Sequence, residues 1–194
     1  MKISRIAVLT IAVLIIVLGV FHFYPSNTRD SKVTTANSKE LENLLKSFGF
    51  SKPPFTPQVE EIVLFDLNQK PVKLTDYKGA IVFLNFWATW CPPCRDEMPA
   101  MQKLYDRYKT EPFKMIAVSI KESPVQVINF FKEKRLSFTA LLDPRGDAGK
   151  KFGINSIPTT FILDKNGNII ARALGPRDWG SRKAHTLFKH LIGI

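Results

Sequence analysis

Two cysteines, Cys91 and Cys94, lie between a continuous apolar run and a helical pattern, and this junction constrains the fold more than any other feature. Residues 80–87 are almost entirely apolar, which is typical of a buried strand. Apolar side chains then recur at helical spacing, at Met98, Met101 and Leu104. Prolines between the cysteines suit a first helical turn, where backbone N–H groups have no helical partner. The sequence therefore predicts a strand that turns directly into a helix at the cysteine pair.

Such a junction favours thiol–disulfide chemistry. A helix N-terminus carries partial positive charge and unpaired N–H groups, which favour a thiolate over a thiol. The thiolate is the species that attacks a disulfide. We expect Cys91 to stand at the exposed end of the junction and to attack a partner, whereas Cys94, one turn further in, resolves the mixed disulfide.

Other uses of a cysteine pair fit less well. A structural disulfide across two residues would constrain little unfolded-chain entropy. Covalent haem attachment requires histidine after the second cysteine, and Arg95 stands there. A zinc site needs about four ligands, and none of the three histidines, His22, His185 and His190, is near the pair in sequence. A zinc half-site completed by a second chain stays open.

The N-terminus predicts a membrane anchor over residues 1–24. Lys2 and Arg5 precede a stretch without ionised residues that is about long enough to cross a bilayer. Residues 21–25 contain no small-x-small cleavage site, which favours an uncleaved anchor, with a cleaved signal as the alternative. The short basic head directly before the apolar core places the head in the cytoplasm and the rest outside.

The remainder predicts a tether and one α/β domain. Residues 25–52 are polar and form the tether, with a short helix at 38–47, and residues 53–194 form the domain. A hairpin at 62–74, alternating strands and helices, a second hairpin at 159–173 and a final helix at 181–192 predict a mixed sheet covered by helices. The net charge of +11 is spread along the chain without a basic stripe, so no nucleic-acid partner is expected.

Two motifs resemble the thioredoxin superfamily. The run Phe86-Trp-Ala-Thr-Trp-Cys-Pro-Pro-Cys94 resembles its active-site run, and Phe152-Gly-Ile-Asn-Ser-Ile-Pro-Thr159 resembles its second signature. The chain is most similar to the TlpA/ResA-like branch of membrane-tethered thiol–disulfide oxidoreductases. This resemblance implies a thioredoxin-like mixed sheet flanked by helices, with an N-terminal hairpin, an extra strand and helix at about 121–142, and one preceding transmembrane helix.

The resemblance also implies site residues. Cys91 and Cys94 would form the redox-active disulfide, and a cis peptide bond at Ile157–Pro158 would let backbone there bind substrate. Trp90 would lie exposed beside Cys91 and bind substrate, with hydrophobic shielding as its alternative role. Glu97 would act as a catalytic proton acceptor, although a surface charge in the first helical turn is an equal alternative. Thioredoxins have a buried aspartate where this chain has Asn85, which cannot titrate. Trp179, in Gly175-Pro-Arg-Asp-Trp-Gly180, is assigned only packing.

The implied activity is reduction of disulfides in extracytoplasmic proteins, with those of cytochrome c maturation as one candidate substrate class. A single-pass protein of the bacterial cell membrane would receive electrons from a membrane donor, because no nicotinamide motif is present; no cofactor or metal is expected. A dithiol oxidant stays open, since the sequence does not determine the potential. A copper(I) metallochaperone is the other alternative; it would gain from Met98, which we expect to face the core instead.

Overall fold

The computed structural model describes residues 28–194, with side chains described from residue 37. The predicted membrane anchor, residues 1–24, lies outside this range. Within the described part, we find no helix with both the length and the apolar character needed to span a bilayer. The chain divides into two compact units, Met1–Lys39 and Glu40–Ile194, and the second contains the sheet and the cysteine pair.

The described residues form one seven-stranded mixed sheet with the order β2-β1-β5-β4-β3-β6-β7. The central strand β3 pairs in parallel with β4 and antiparallel with β6, and β5 pairs in parallel with β4. The antiparallel edges are the β1–β2 hairpin, which joins β5, and β7, which joins β6. The strands are β1 Val63–Phe65, β2 Pro71–Lys73, β3 Ile81–Trp87, β4 Phe113–Ile120, β5 Thr139–Asp143, β6 Thr159–Leu163 and β7 Ile169–Leu174.

Five α-helices accompany the sheet in the described residues: α1 Thr28–Ser47, α2 Pro92–Tyr108, α3 Pro124–Lys134, α4 Asp147–Lys151 and α5 Arg182–Ile192. Single 3-10 turns occupy Val59–Glu61 and Leu74–Tyr77. Local sequence sets the helix starts. Ser123 and Gln126 form a capping box at α3, with Pro124 in the first turn, and the Ser181 hydroxyl accepts from the backbone N–H of Ala184 at α5.

The core has two layers because β3 is buried on both faces. All seven residues of β3 are buried, and they alternate between two apolar clusters. Phe83 and Trp87 face the cluster formed with α2, α3 and α5, whereas Leu84 and Phe86 face the cluster formed with α4 and the N-terminal hairpin. A strand buried on both faces explains the continuous apolar run in the sequence.

The predicted architecture is confirmed, including the N-terminal hairpin and the extra unit, which consists of α3 and β5. The helix predicted at 38–47 begins earlier, at Thr28. The boundaries of the predicted tether and domain stay predictions. Within residues 40–52, however, Phe48 and Phe50 are buried in the core, and Ser51 forms an isolated antiparallel bridge with Arg172 of β7.

Candidate active site

The cysteine pair lies where β3 meets α2. β3 ends at Trp87 and α2 begins at Pro92, so Cys91 occupies the N-cap position with extended backbone. The backbone N–H of Cys94 points at Cys91 Sγ, with 3.3 Å between nitrogen and sulfur. The two cysteines are joined as a disulfide with 5.3 Å between their Cα atoms. The predicted strand–cysteine–helix junction is therefore present, in its oxidised form.

Both cysteines are buried in this oxidised state, Cys91 at 4% exposure and Cys94 completely. The burial of Cys94 agrees with its predicted place one turn further in. Cys91, predicted at the exposed end of the junction, is less accessible than expected, because its Sγ lies 3.8 Å from the carbonyl oxygen of Ile157 in a distant loop. Trp90 is the exposed neighbour, at 65%. Cys91 remains the sulfur nearer to solvent.

The covering loop carries the predicted cis peptide bond, Ile157–Pro158. Its position follows from strand pairing, since β6 starts at Thr159 and pairs antiparallel with the end of β3, with Phe86 opposite Thr159. The loop is held by two hydrogen bonds: the Thr159 hydroxyl donates to the Ser156 carbonyl oxygen at 2.7 Å, and the Gly175 N–H donates to that of Pro158 at 2.8 Å. The sheet thus brings Cys91 and Ile157, which are 66 positions apart in the chain, to one place.

Glu97 lies on α2, three residues after Cys94, and is 4% exposed. Its interpretation as a surface charge is wrong. Oε1 accepts a hydrogen bond from the Asn85 side-chain amide at 3.0 Å. Oε2 accepts from the Arg177 backbone N–H at 3.1 Å and from the Trp179 indole N–H at 2.8 Å. The carboxyl is buried and accepts three hydrogen bonds, so the fold positions it specifically.

Burial raises the pKa of Glu97 from 4.5 to about 7. The hydrogen bonds from Trp179, Arg177 and Asn85, together with the Arg177 charge, oppose this rise. Burial nevertheless dominates, because no cationic side chain forms a direct ion pair with the carboxyl in the described residues. A carboxyl with this pKa can both take up and release a proton near neutral pH.

Asn85 connects the carboxyl to the sheet. Its amide nitrogen also donates to the Thr160 hydroxyl oxygen at 3.0 Å, across the β3–β6 pairing. Its carbonyl oxygen, Oδ1, is buried without a hydrogen-bond partner in this structure. Because Glu97 Oε1 lies beside this amide, protonation of Glu97 would create a donor next to the unpaired acceptor.

Sequence reasoning missed two contributors. Trp179 was assigned only packing, yet its indole N–H donates to Glu97 from 82 positions away, and nothing local in the sequence indicates that contact. Glu122 is buried beside the loop that precedes Cys91 and accepts from the Thr89 N–H at 3.0 Å, from the Thr89 hydroxyl, and from the Ser119 hydroxyl. A carboxylate two residues after the end of the buried strand β4 was the available signal.

Metal chemistry has no further support among residues 28–194, which hold no cluster of three or more histidine, cysteine, aspartate or glutamate side chains suited to a metal ion. Met98 is fully buried in the α2 side of the core, as expected.

Comparison with known proteins agrees with this geometry. Residues 49–188 match the Redoxin family. The chain is 41% identical over 118 residues to the thiol-disulfide oxidoreductase ResA of Bacillus thuringiensis subsp. konkukian (strain 97-27), an alignment covering 61% of this chain and 68% of that protein. The chain belongs to the Redoxin family and, within it, is a ResA-like thiol-disulfide oxidoreductase.

Solved structures show the same fold for this ResA-like chain. StoA from Bacillus subtilis is 28% identical, with a TM-score of 0.54, covering 66% of this chain and 93% of StoA. A thiol:disulfide interchange protein of the thioredoxin family from Chlorobium tepidum TLS is 26% identical, with a TM-score of 0.60, covering 74% of this chain and 99% of that protein. The predicted thioredoxin-like mixed sheet and the predicted thiol–disulfide oxidoreductase activity are both confirmed.

Proposed function

We propose that this ResA-like enzyme reduces disulfides in extracytoplasmic proteins, with Cys91 as the attacking residue, Cys94 as the resolving residue and Glu97 as the proton acceptor. The observation that carries the proposal is the buried carboxyl one helical turn after the buried sulfur of Cys94, with a pKa near 7. Residues three apart on a helix are neighbours on its surface. A thiol that must lose its proton thus has an acceptor of suitable strength nearby.

The first step is attack on the substrate. In the reduced enzyme, the Cys91 thiolate attacks one sulfur of a substrate disulfide, the substrate S–S bond breaks, and the departing substrate thiolate takes up a proton from solvent. The product is a mixed disulfide between Cys91 and the substrate. The backbone N–H of Cys94 and the start of α2 are placed to stabilise negative charge on Cys91 Sγ.

The second step is resolution. The Cys94 thiol passes its proton to the Glu97 carboxylate, and the resulting thiolate attacks Cys91 Sγ. The mixed disulfide breaks, the second substrate sulfur leaves as a thiolate that takes up a proton from solvent, and Glu97 releases its proton to solvent. The Cys91–Cys94 disulfide seen in the structure is formed. The substrate has gained two electrons and the enzyme has lost two, so a dithiol or membrane-borne reductant must restore the enzyme.

Substrate backbone would lie against Ile157 and Pro158, whose loop contacts Cys91 Sγ. The exposed ring of Trp90, the residue before Cys91, offers apolar contact to substrate. Both surfaces accept extended chain of many sequences, which suits protein disulfides, including those of cytochrome c maturation.

A reducing direction follows from comparing two opposing effects on the thiolate. The helix N-terminus stabilises a thiolate by up to about 2 kcal/mol. Burial of a charge costs several kcal/mol, and Cys91, Cys94 and Glu97 are all buried. For Cys94, which is fully buried, the cost of burial is the larger of the two effects, whereas Cys91 lies at the helix N-cap. A reduced enzyme that gains little from a Cys94 thiolate has a low reduction potential.

We therefore expect the equilibrium potential of the Cys91–Cys94 pair, measured against glutathione by thiol alkylation and mass spectrometry, to be below about −260 mV. A value above about −180 mV, in the range of protein disulfide isomerase or higher, would instead assign the oxidant role.

A copper(I) titration of the reduced protein, combined with an insulin-reduction assay, tests the metallochaperone alternative. An enzyme reduces insulin disulfides, whereas a metallochaperone binds copper(I) at the thiols without reducing insulin.

We also propose that residues 1–24 anchor the enzyme as a single span in a bacterial cell membrane, with the catalytic domain outside. The basic head and the apolar run that follows it support this proposal. The full chain should sediment with membranes after alkaline carbonate washing, and protease added to spheroplasts should degrade its domain. Release of the chain by carbonate would contradict the anchor.

A further inference from the structure

Trp179 forms the shortest hydrogen bond to Glu97, and three aromatic rings pack around it. Phe83 of β3 meets it edge-on, with 4.7 Å between ring centroids. Phe48 and Phe50, from the segment that follows α1, also contact Trp179, with 5.3 Å and 6.1 Å between ring centroids. Trp179 is fully buried as a result.

The segment 48–51 is itself attached at two points. The Arg177 guanidinium donates to the carbonyl oxygen of Gly49 at 3.1 Å. Ser51 and Arg172 exchange backbone hydrogen bonds of 2.8 Å in both directions, which adds the segment to the edge of β7. Aromatic contacts and hydrogen bonds to backbone therefore both attach segment 48–51 to the rest of the domain.

These attachments matter because of where the Glu97 donors come from. Both donors to Oε2, the Arg177 N–H and the Trp179 indole, belong to the loop 175–181 between β7 and α5, which has no regular secondary structure. Loops of this kind move more than helices or strands unless packing holds them. Here segment 48–51 supplies contacts to both donor residues, through Phe48 and Phe50 to Trp179 and through Gly49 to Arg177.

We infer that segment 48–51 is a positioning element for Glu97: Phe48 and Phe50 hold the Trp179 indole N–H on the carboxyl, and Gly49 holds Arg177. The inference rests on the proposed role of Glu97 as proton acceptor and extends it to residues outside the catalytic motifs. The Arg177 charge acts on the carboxyl, although its guanidinium donates to backbone carbonyls. Cys94, on α2, is held in the disulfide and titrates only in the reduced enzyme, and Asn85, Thr160 and Trp179 are neutral.

The test is a titration of Glu97 by carbon NMR of the full chain labelled at glutamate side chains, assigned with Glu97→Gln. Trp179→Phe keeps a buried ring but removes the donor, so the titration midpoint should rise by about one pH unit, since hydrogen bonds to charged groups are strong. Phe48→Leu with Phe50→Leu keeps an apolar cover but loosens the indole. The midpoint should then rise by about half a unit, and exchange of the indole N–H should accelerate about tenfold.

Phe138→Leu is the matched control. Phe138 is a buried aromatic of the same core cluster whose ring contacts are with Tyr105 and Phe131, not with Trp179. It should lower stability without moving the Glu97 midpoint. An unchanged or lower midpoint in the double phenylalanine variant would overturn the inference, since a fall would mean that the segment only excludes water. Rapid indole exchange in the wild-type chain would overturn it without any variant.

The outcome is separable from that of the proposed function. If the midpoints move as expected but Glu97→Gln resolves mixed disulfides at the wild-type rate at every pH, the positioning stands and the proton-acceptor role fails. If the midpoints do not move while Glu97→Gln slows resolution, the proton-acceptor role stands and the positioning fails.

Discussion

Cys94→Ser is expected to accumulate a mixed disulfide with an insulin substrate, whereas Cys91→Ser accumulates none, and each variant should lose at least about a thousandfold in turnover. The reason is the geometry of the pair: Cys91 is the N-cap residue and the sulfur nearer to solvent, and Cys94 is fully buried beneath it. Only Cys91 can begin the reaction, and only Cys94 can end it. Non-reducing electrophoresis and mass spectrometry of the trapped species measure the result.

The double variant, with both cysteines replaced by serine, is the control for adventitious adducts, because the chain has no third cysteine. Equal trapping by the two single variants would show that the assigned order of attack is wrong. Trapping by Cys91→Ser alone would reverse the roles and would require the oxidised and reduced forms to differ strongly in the exposure of Cys94.

Glu97→Gln is expected to slow resolution of the mixed disulfide by about a hundredfold at neutral pH, the ordinary contribution of a positioned proton acceptor. The carboxylate is the accepting form, and the pKa of Glu97 is about 7. The wild-type rate should therefore rise with pH and level off above about 7, and the variant should lack this rise. Stopped-flow measurement of product release after rapid mixing with a fluorescent disulfide gives the profile.

The same variant should be more stable than the wild type above neutral pH. The folded-state pKa of Glu97, about 7, is above its unfolded value of 4.5, so the neutral form favours folding below pH 4.5 and this advantage is lost as pH rises to 7. The loss amounts to about 3 kcal/mol. Glutamine removes this dependence because it does not titrate. Urea unfolding at pH 4.5 and 8 measures the difference.

Asp96→Asn is the matched control for both readouts. Asp96 lies one residue before Glu97 on α2 and is exposed, so its replacement removes the same charge without touching the buried network. It should change stability by less than about 0.5 kcal/mol and leave the pH profile of resolution intact. A similar change in both variants would indicate a general effect of charge rather than the role assigned to Glu97.

Local patterns were sufficient for most of the fold and for the motifs. The run 80–87 predicts a buried strand because seven of its eight residues are apolar, on both faces of an extended chain. Ser123-Pro124 predicts a helix start because capping depends on neighbouring residues only. The cis bond at Ile157–Pro158 was predicted from the family resemblance, because local sequence gives only a weak preference for a cis bond before proline.

Contacts between distant residues were not predictable in this way. Whether Glu97 is a surface charge or a buried acceptor depends on Asn85, Arg177 and Trp179, of which the last two lie about eighty positions away. The burial of Phe48 and Phe50 depends in the same way on Trp179. The position of Glu97 in the first turns of α2 therefore could not distinguish a proton acceptor from a surface charge.

From its amino acids alone, this chain specified the order of its strands and helices and placed two thiols at the start of one helix, because backbone geometry and hydrophobic periodicity act over a few residues. The tertiary structure alone decided how far those thiols are buried and what surrounds the carboxyl beside them. Proton affinity depends on solvent exclusion and on donors brought together across the sheet, and both arise only when the chain has packed.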